Sequence, residues 1–122
     1  VGSEMCIRDS QEVIDLVSFE KADIRAGQIL AISEVEGSRK LLRFTVDFGS
    51  FSREILSAIR KERGSFSSLV GKQALFLINL QPKEIAGIVS NGLILDLGYS
   101  EGLRPTAFIV PEFNVPNGTR LG

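Results

Sequence analysis

Apolar side chains recur at every second position through Leu42, Phe44, Val46 and Phe48, with Leu41, Arg43, Thr45 and Asp47 between them. That alternation predicts a strand with one buried and one wetter face. A turn containing Gly37 leads into it, Gly49 ends it, and Arg39, Lys40 and Arg43 gather at its start and middle. The other segments arrange themselves around this strand. Residues 24–32 predict a first strand, in which Ala26-Gly27 permits a bend or the close approach of another backbone. Residues 52–59 predict a third, joined to the second by a short hairpin. A polar, basic connection over 60–68 follows, with room for one helical turn over 65–70. Residues 72–80 are apolar on both faces, the pattern of a strand covered on each side. Residues 81–87 break it, and 88–98 resume as a fifth strand in which Gly92 tolerates curvature.

The two ends are less regular. Val13, Ile14, Leu16 and Val17 predict either a short strand or a helical turn laid on the domain. Ser18 is the expected N-cap of a helical turn over 18–23, with Glu20 near the positive end of its dipole. Residues 104–122 hold short apolar pieces broken by Pro111 and Pro116 and read as edge segments, with a turn at Pro116-Asn117-Gly118. Residues 1–10 (VGSEMCIRDS) show no periodicity, and their MCIRD string looks like translated adapter sequence. They are read as a non-native leader, leaving 11–122 as one domain. The resulting fold class is all-β. Five short, curved antiparallel strands with a long connection after the third match the oligonucleotide-binding (OB) barrel, here with short helical turns and C-terminal edge strands. In that fold the second and third strands form the usual binding face.

Charge changes this picture locally. The net charge is −1, yet residues 39–83 hold nine cations against Asp47, Glu54 and Glu62, so that segment carries +6 and the remainder −7. There is no histidine and a single cysteine, Cys6, which excludes disulfide frameworks, thiol–imidazole dyads, Ser-His-Asp triads and the common zinc sites from this chain. No convergent pair of carboxylates is apparent either, so the domain is expected to be no enzyme and to need no metal or cofactor. The longest apolar run, residues 74–78, is far short of the ~20 residues that cross a bilayer. With no signal-peptide layout visible, the expected setting is cytoplasmic and away from membranes.

Particular strings then carry a resemblance. Phe19-Glu20-Lys21-Ala22-Asp23-Ile24-Arg25-Ala26-Gly27 is similar to the opening of the tRNA-binding domain family. Glu36 to Arg43, ending at Asp47-Phe48-Gly49, resembles the corresponding segment of the C-terminal domain of bacterial methionyl-tRNA synthetase. Asn79-Leu80-Gln81-Pro82-Lys83, followed by Gly87-Ile88-Val89-Ser90-Asn91-Gly92, resembles that family's "NL.P.k..G..S.GM" signature. The likeness runs collinearly from about residue 18 to 122. It implies a cytoplasmic OB module that binds tRNA without a catalytic step and works as a homodimer. Stand-alone and secretion-chaperone-like members share the layout. Leu93 stands where methionine is usual and Asn91 where glutamate or glutamine is common.

The candidate RNA-binding residues are Arg25, Lys40, Arg43, Ser57, Arg60, Lys61, Asn79, Lys83, Ser90 and Asn91. Lys40 and Arg43 lie on or beside the expected binding face, where cations neutralise phosphates and release counterions. Arg60 and Lys61 enter the long loop nearby, and Lys83 extends from a turn stiffened by Pro82. Arg25 either reaches RNA or closes the barrel end through an ion pair with Asp23. The resemblance implies RNA contacts for Ser57, Asn79 and Ser90; the alternative is hydrogen bonding that fixes strand ends. Phe51 and Phe66 are either stacking platforms or core. The two-sided strand at 74–80, with the tail, offers a surface for an isologous dimer. Three functions compete: a tRNA-binding protein, alone or beside a tRNA synthetase; a chaperone that takes unfolded peptide in the same groove; and a dimerisation module.

Overall fold

The computed structural model describes residues 12–60 and 66–122. The long strand β1 (Ile24–Glu34) pairs antiparallel with β2 (Leu42–Asp47) on one edge and with β4 (Gln73–Leu77) on the other. β3 (Ser52–Ser57) extends the sheet beyond β2, and β7 (Leu93–Ile94) extends it beyond β4. The strand order β3-β2-β1-β4-β7 curls into a five-stranded antiparallel half-barrel of the OB type. Its open side is drawn together where the Asn91 amide donates to the Glu54 carbonyl (3.0 Å) and the Leu56 amide donates to Ser90 Oγ (3.0 Å).

The alternating strand behaves as its sequence predicts. Leu42, Phe44, Val46 and Phe48 are buried and enter a core with Ile29, Ile55, Ile59, Ala74, Phe76, Ile78 and Ile94. Phe48 meets Phe76 edge-on at 5.5 Å and Phe44 meets Phe108 edge-on at 6.4 Å. Gly27 makes room for core side chains and not for another backbone: a Cβ there would lie 2.5 Å from Val46 Cγ1 and 2.7 Å from Phe48 Cε1. The shift in the β1 ladder falls between Ile29 and Ala31, after the glycine.

Four other expectations change. The helical turn α1 (Leu16–Glu20) begins earlier than predicted, because Asp15 rather than Ser18 is its N-cap, accepting from the Ser18 amide at 2.7 Å. Val13, Ile14, Leu16 and Val17 are exposed, not laid on the domain. The chain's own tail meets β4 at its outward side chain Gln73, whose Nε2 donates to the Val115 carbonyl and to Asn117 Oδ1, and at its edge, where the Leu75 amide donates to the Ile109 carbonyl. The expected break at 81–87 contains a hairpin, β5 (Lys83–Ile85) with β6 (Ile88–Ser90), turning through Ala86 and Gly87, both at positive φ.

The predicted fifth strand is therefore divided among three partners. β6 pairs with β5, β7 with β4, and β8 (Asp96–Leu97) with β9 (Ala107–Phe108). The tail is an edge segment as expected: the Gly118 amide donates to the Ala26 carbonyl and the Ala26 amide to the Thr119 carbonyl, along the stretch of β1 that β2 leaves unpaired. A 3-10 turn at Ser67–Leu69 occupies the long connection. Among the described residues, no helix is long and apolar enough to cross a membrane.

Candidate nucleic-acid interface

The wetter face of β2 and β3 opens onto a groove of about 980 Å³. Thr45 and the run Ser52-Arg53-Glu54 form its strand wall; Ile78 to Pro82, the link from β4 to β5, form the facing wall, and Asn91 closes one side. The hairpin register sets Thr45 opposite Glu54 on the wetter face, while Arg53, which also lines the groove, stands opposite the buried Val46. Thr45 Oγ1 donates to Glu54 Oε2 at 2.6 Å, and Arg43 donates to Glu54 Oε1 through Nε at 3.0 Å and Nη2 at 2.9 Å. Arg43 thus stands on the expected face with its charge balanced by Glu54.

The other sequence-predicted residues divide between tied and free. Asn79 lines the groove, accepts from the Asp23 amide through Oδ1 at 2.8 Å and donates to the Lys21 carbonyl, binding the wall to the start of β1. Ser90 is buried; besides accepting from Leu56, its hydroxyl donates to the Gly92 carbonyl at 3.4 Å. Ser57 ends β3 opposite Leu42. Arg60 pairs with Glu34 and donates to the Ser38 carbonyl, while its amide donates to the Lys40 carbonyl at 3.1 Å, so it fastens the β1–β2 loop. Asn91 reaches the groove, with its backbone committed to Glu54. Lys40 and Lys83 are exposed and make no ion pair among the described residues. Lys61 lies outside the described residues.

Arg25 makes the ion pair with Asp23 that the sequence offers as the alternative to an RNA contact. Its Nε and Nη2 donate to the two carboxylate oxygens of Asp23 at 2.9 and 3.0 Å. Arg120 Nε comes within 3.6 Å of the same carboxylate. Phe51, half-buried, stacks on Phe48 at 5.4 Å, with the guanidinium groups of Arg53 at 5.1 Å and Arg25 at 5.6 Å from its ring centre. Phe66 is also half-buried and packs on the core. Arg53 and Arg120 are absent from the sequence-derived set. The hairpin pairing sets Arg53 opposite the buried Val46 and so gives no signal for it, and Arg120 is brought in only by the tail.

The hydrogen bond from Arg25 holds the Asp23 carboxyl below its ordinary value, against the opposing effect of burial, and the charges of Arg25, Arg120 and Arg53 act in the same direction. A depressed folded-state value means that the pair's contribution is complete above about pH 4 and is lost as the pH falls through the lowered value. Asp23→Asn should therefore lower the urea midpoint at pH 7 and make the acid limb shallower than in the wild type. An unaltered limb below about pH 4 would remove the pair from the acid response.

The model of the family described as "Putative tRNA binding domain" matches residues 24–120. Over 124 aligned residues the whole chain is 35% identical to methionine–tRNA ligase of Streptococcus pyogenes serotype M18, covering 18% of that protein. The chain thus spans less than a fifth of the length of such curated relatives. The structure of a methionyl-tRNA synthetase (MetRS) related protein from Pyrococcus horikoshii superposes with a TM-score of 0.82 at 27% identity, over 92% of this chain and 100% of that one. The chaperone CsaA from Bacillus anthracis superposes with a TM-score of 0.77 at 26% identity, over 91% of this chain and 100% of that one.

Proposed function

We propose, for a chain that belongs to the tRNA-binding domain family, that it holds tRNA by shape and backbone along the β2–β3 face, without a catalytic step. The observation that carries this reading is the open groove on that face, with Thr45, Arg53, Asn79 and Asn91 on its walls. Arg53 and the side-chain amides of Asn79 and Asn91 keep donors that suit phosphate and ribose oxygens, and contacts to those groups position RNA with little base discrimination. The exposed Lys40 and Lys83 supply mobile positive charge beside it. The module acts in the cytoplasm, alone or attached to a synthetase. It acts as a homodimer, a reading supported by the exposed apolar side chains of α1 and of the tail residues Val110 and Phe113. Two copies double the number of cations presented to one RNA.

Titration of bulk tRNA at several salt concentrations tests this, with unstructured single-stranded RNA and an unfolded peptide as competitors. Salt-sensitive binding that prefers tRNA is expected. Lys40→Ala combined with Lys83→Ala should weaken binding to many tRNAs together and reduce the log–log salt slope by about 0.7–0.9 for each phosphate no longer neutralised. An unchanged slope would remove both lysines from the interface. A second reading, peptide binding in the same groove, is supported by the likeness to the CsaA chaperone and by half-exposed Leu80 on the groove wall. It predicts that the peptide displaces tRNA and binds with little salt dependence. Failure to bind tRNA at low salt would exclude the leading reading.

A further inference from the structure

Three arginines from distant parts of the chain converge at one end of the groove. Arg25 arrives on β1, Arg53 on β3, and Arg120 on the tail, where it is paired by a backbone bridge with Arg25. Arg25 and Arg120 approach the Asp23 carboxylate, and Arg25 and Arg53 lie over the Phe51 ring, so Arg25 joins the two groups. The cluster carries three positive charges against one negative. Arg25 and Arg120 come from outside the basic segment 39–83, so charge counted along the chain does not reveal it.

The three guanidinium groups are not equally committed. Arg25 gives two donors to Asp23, and its side chain is only 23% exposed. Arg53 lines the groove; it donates through Nη1 to the Ile78 carbonyl and lies over Phe51, so one nitrogen and one face of its planar head are fixed. Arg120 is 66% exposed, and its 3.6 Å approach to Asp23 is too long for a hydrogen bond. The remaining donors of Arg53 and those of Arg120 find no acceptor among the described residues. Arg43 and Arg60, by contrast, are each balanced by a glutamate. A guanidinium already held by an aromatic ring and a carbonyl loses little further freedom on meeting an anion, and its planar fork matches phosphate oxygens.

We propose that Arg53 and Arg120, gathered around Asp23 and Phe51, form the anchoring site for a phosphodiester group of the bound RNA. Asp23 and Arg25 are positioning residues there: their ion pair fixes the end of the groove at which the other two arginines stand. This rests on the tRNA-binding reading, and it makes the tail part of the RNA site.

The test measures tRNA binding by fluorescence anisotropy from about 50 to 300 mM salt, using the full chain and its Arg53→Gln, Arg120→Gln and Arg120→Lys variants. Lys72→Gln, at the opposite end of β4 from the groove wall, controls for the loss of any cation. Arg53→Gln and Arg120→Gln should each reduce the salt slope by about 0.7–0.9 and weaken binding roughly five- to tenfold near 0.1 M salt. Arg120→Lys should keep most of the slope, and Lys72→Gln all of it. Among the described residues Arg120 makes no side-chain hydrogen bond, so its glutamine variant tests the site even where Arg53→Gln perturbs the groove wall. Wild-type binding with an unaltered slope in Arg120→Gln would overturn the anchoring site and leave the tRNA reading intact. Absence of tRNA binding by the wild type would overturn both.

Discussion

Phe44→Ala should lower stability by about 3–5 kcal/mol, the range for truncating a fully buried aromatic side chain. Phe44 is 0% exposed, lies mid-strand between Ile32 of β1 and Ile55 of β3, and meets Phe108 of β9 edge-on. Its removal takes away transfer free energy and leaves a cavity that these elements, fixed by two hydrogen-bonded ladders, can only partly fill. In urea the midpoint should fall while the m-value is kept, and the melting temperature should drop by roughly 10–20 °C. Phe44→Leu should cost less. A midpoint within experimental error of the wild type would show that the aromatic layer does not centre on this ring.

Gly118→Ala is the second large effect, and it acts through the backbone. Gly118 has φ +92°, and a Cβ there would lie 2.1 Å from the Phe48 carbonyl oxygen, a clash that no rotamer change relieves. The left-handed conformation alone costs a side-chain-bearing residue about 1–2 kcal/mol. Displacing the tail also breaks its pairing with β1: Gly118 to Ala26, Ala26 to Thr119 and Leu121 to Ile24, at about 1 kcal/mol each. A loss of roughly 3 kcal/mol or more is expected, together with fast amide exchange at Ala26. Slow exchange at Ala26 in the variant would mean that the tail stays docked without the glycine. Since Arg120 travels with that tail, the same variant should weaken RNA binding at temperatures where the barrel is still folded.

The features legible in sequence are those that depend on period and local turn chemistry. The alternation from Leu42 to Phe48 sets both faces of β2, and the short glycine turn after it sets the register that places Thr45 opposite Glu54. That register also contains the Arg43–Glu54 pair, which diagonal neighbours across a hairpin can form. The β5–β6 hairpin is hidden because its turn uses Ala86 at φ +54°, where asparagine or glycine would have announced it. Asp15 and Ser18 are both good capping residues, and only the actual start of α1 separates them. The exposure of Val13 to Val17 follows from what surrounds α1, about which periodicity is silent. Charge along the chain locates Lys40 and Lys83, but the gathering of Arg25, Arg53 and Arg120 depends on pairing across more than 90 residues.

The ladder of β1 has a consequence for how the proposed groove would meet RNA. Gln28 is registered both with Asp47 of β2 and with Gln73 of β4, so a single continuous strand carries both halves of the sheet. The wall built on β3 hangs from one half through β2, and the wall that follows β4 hangs from the other. The two walls therefore share one rigid spine, and the width of the groove is fixed when the chain folds. Little conformational entropy remains for the protein to lose on binding, and the adjustment of shape falls to the RNA. If the proposed groove is the RNA site, its selectivity is mechanical: RNAs whose backbone already holds the required curvature should bind better than strands that must be ordered to acquire it.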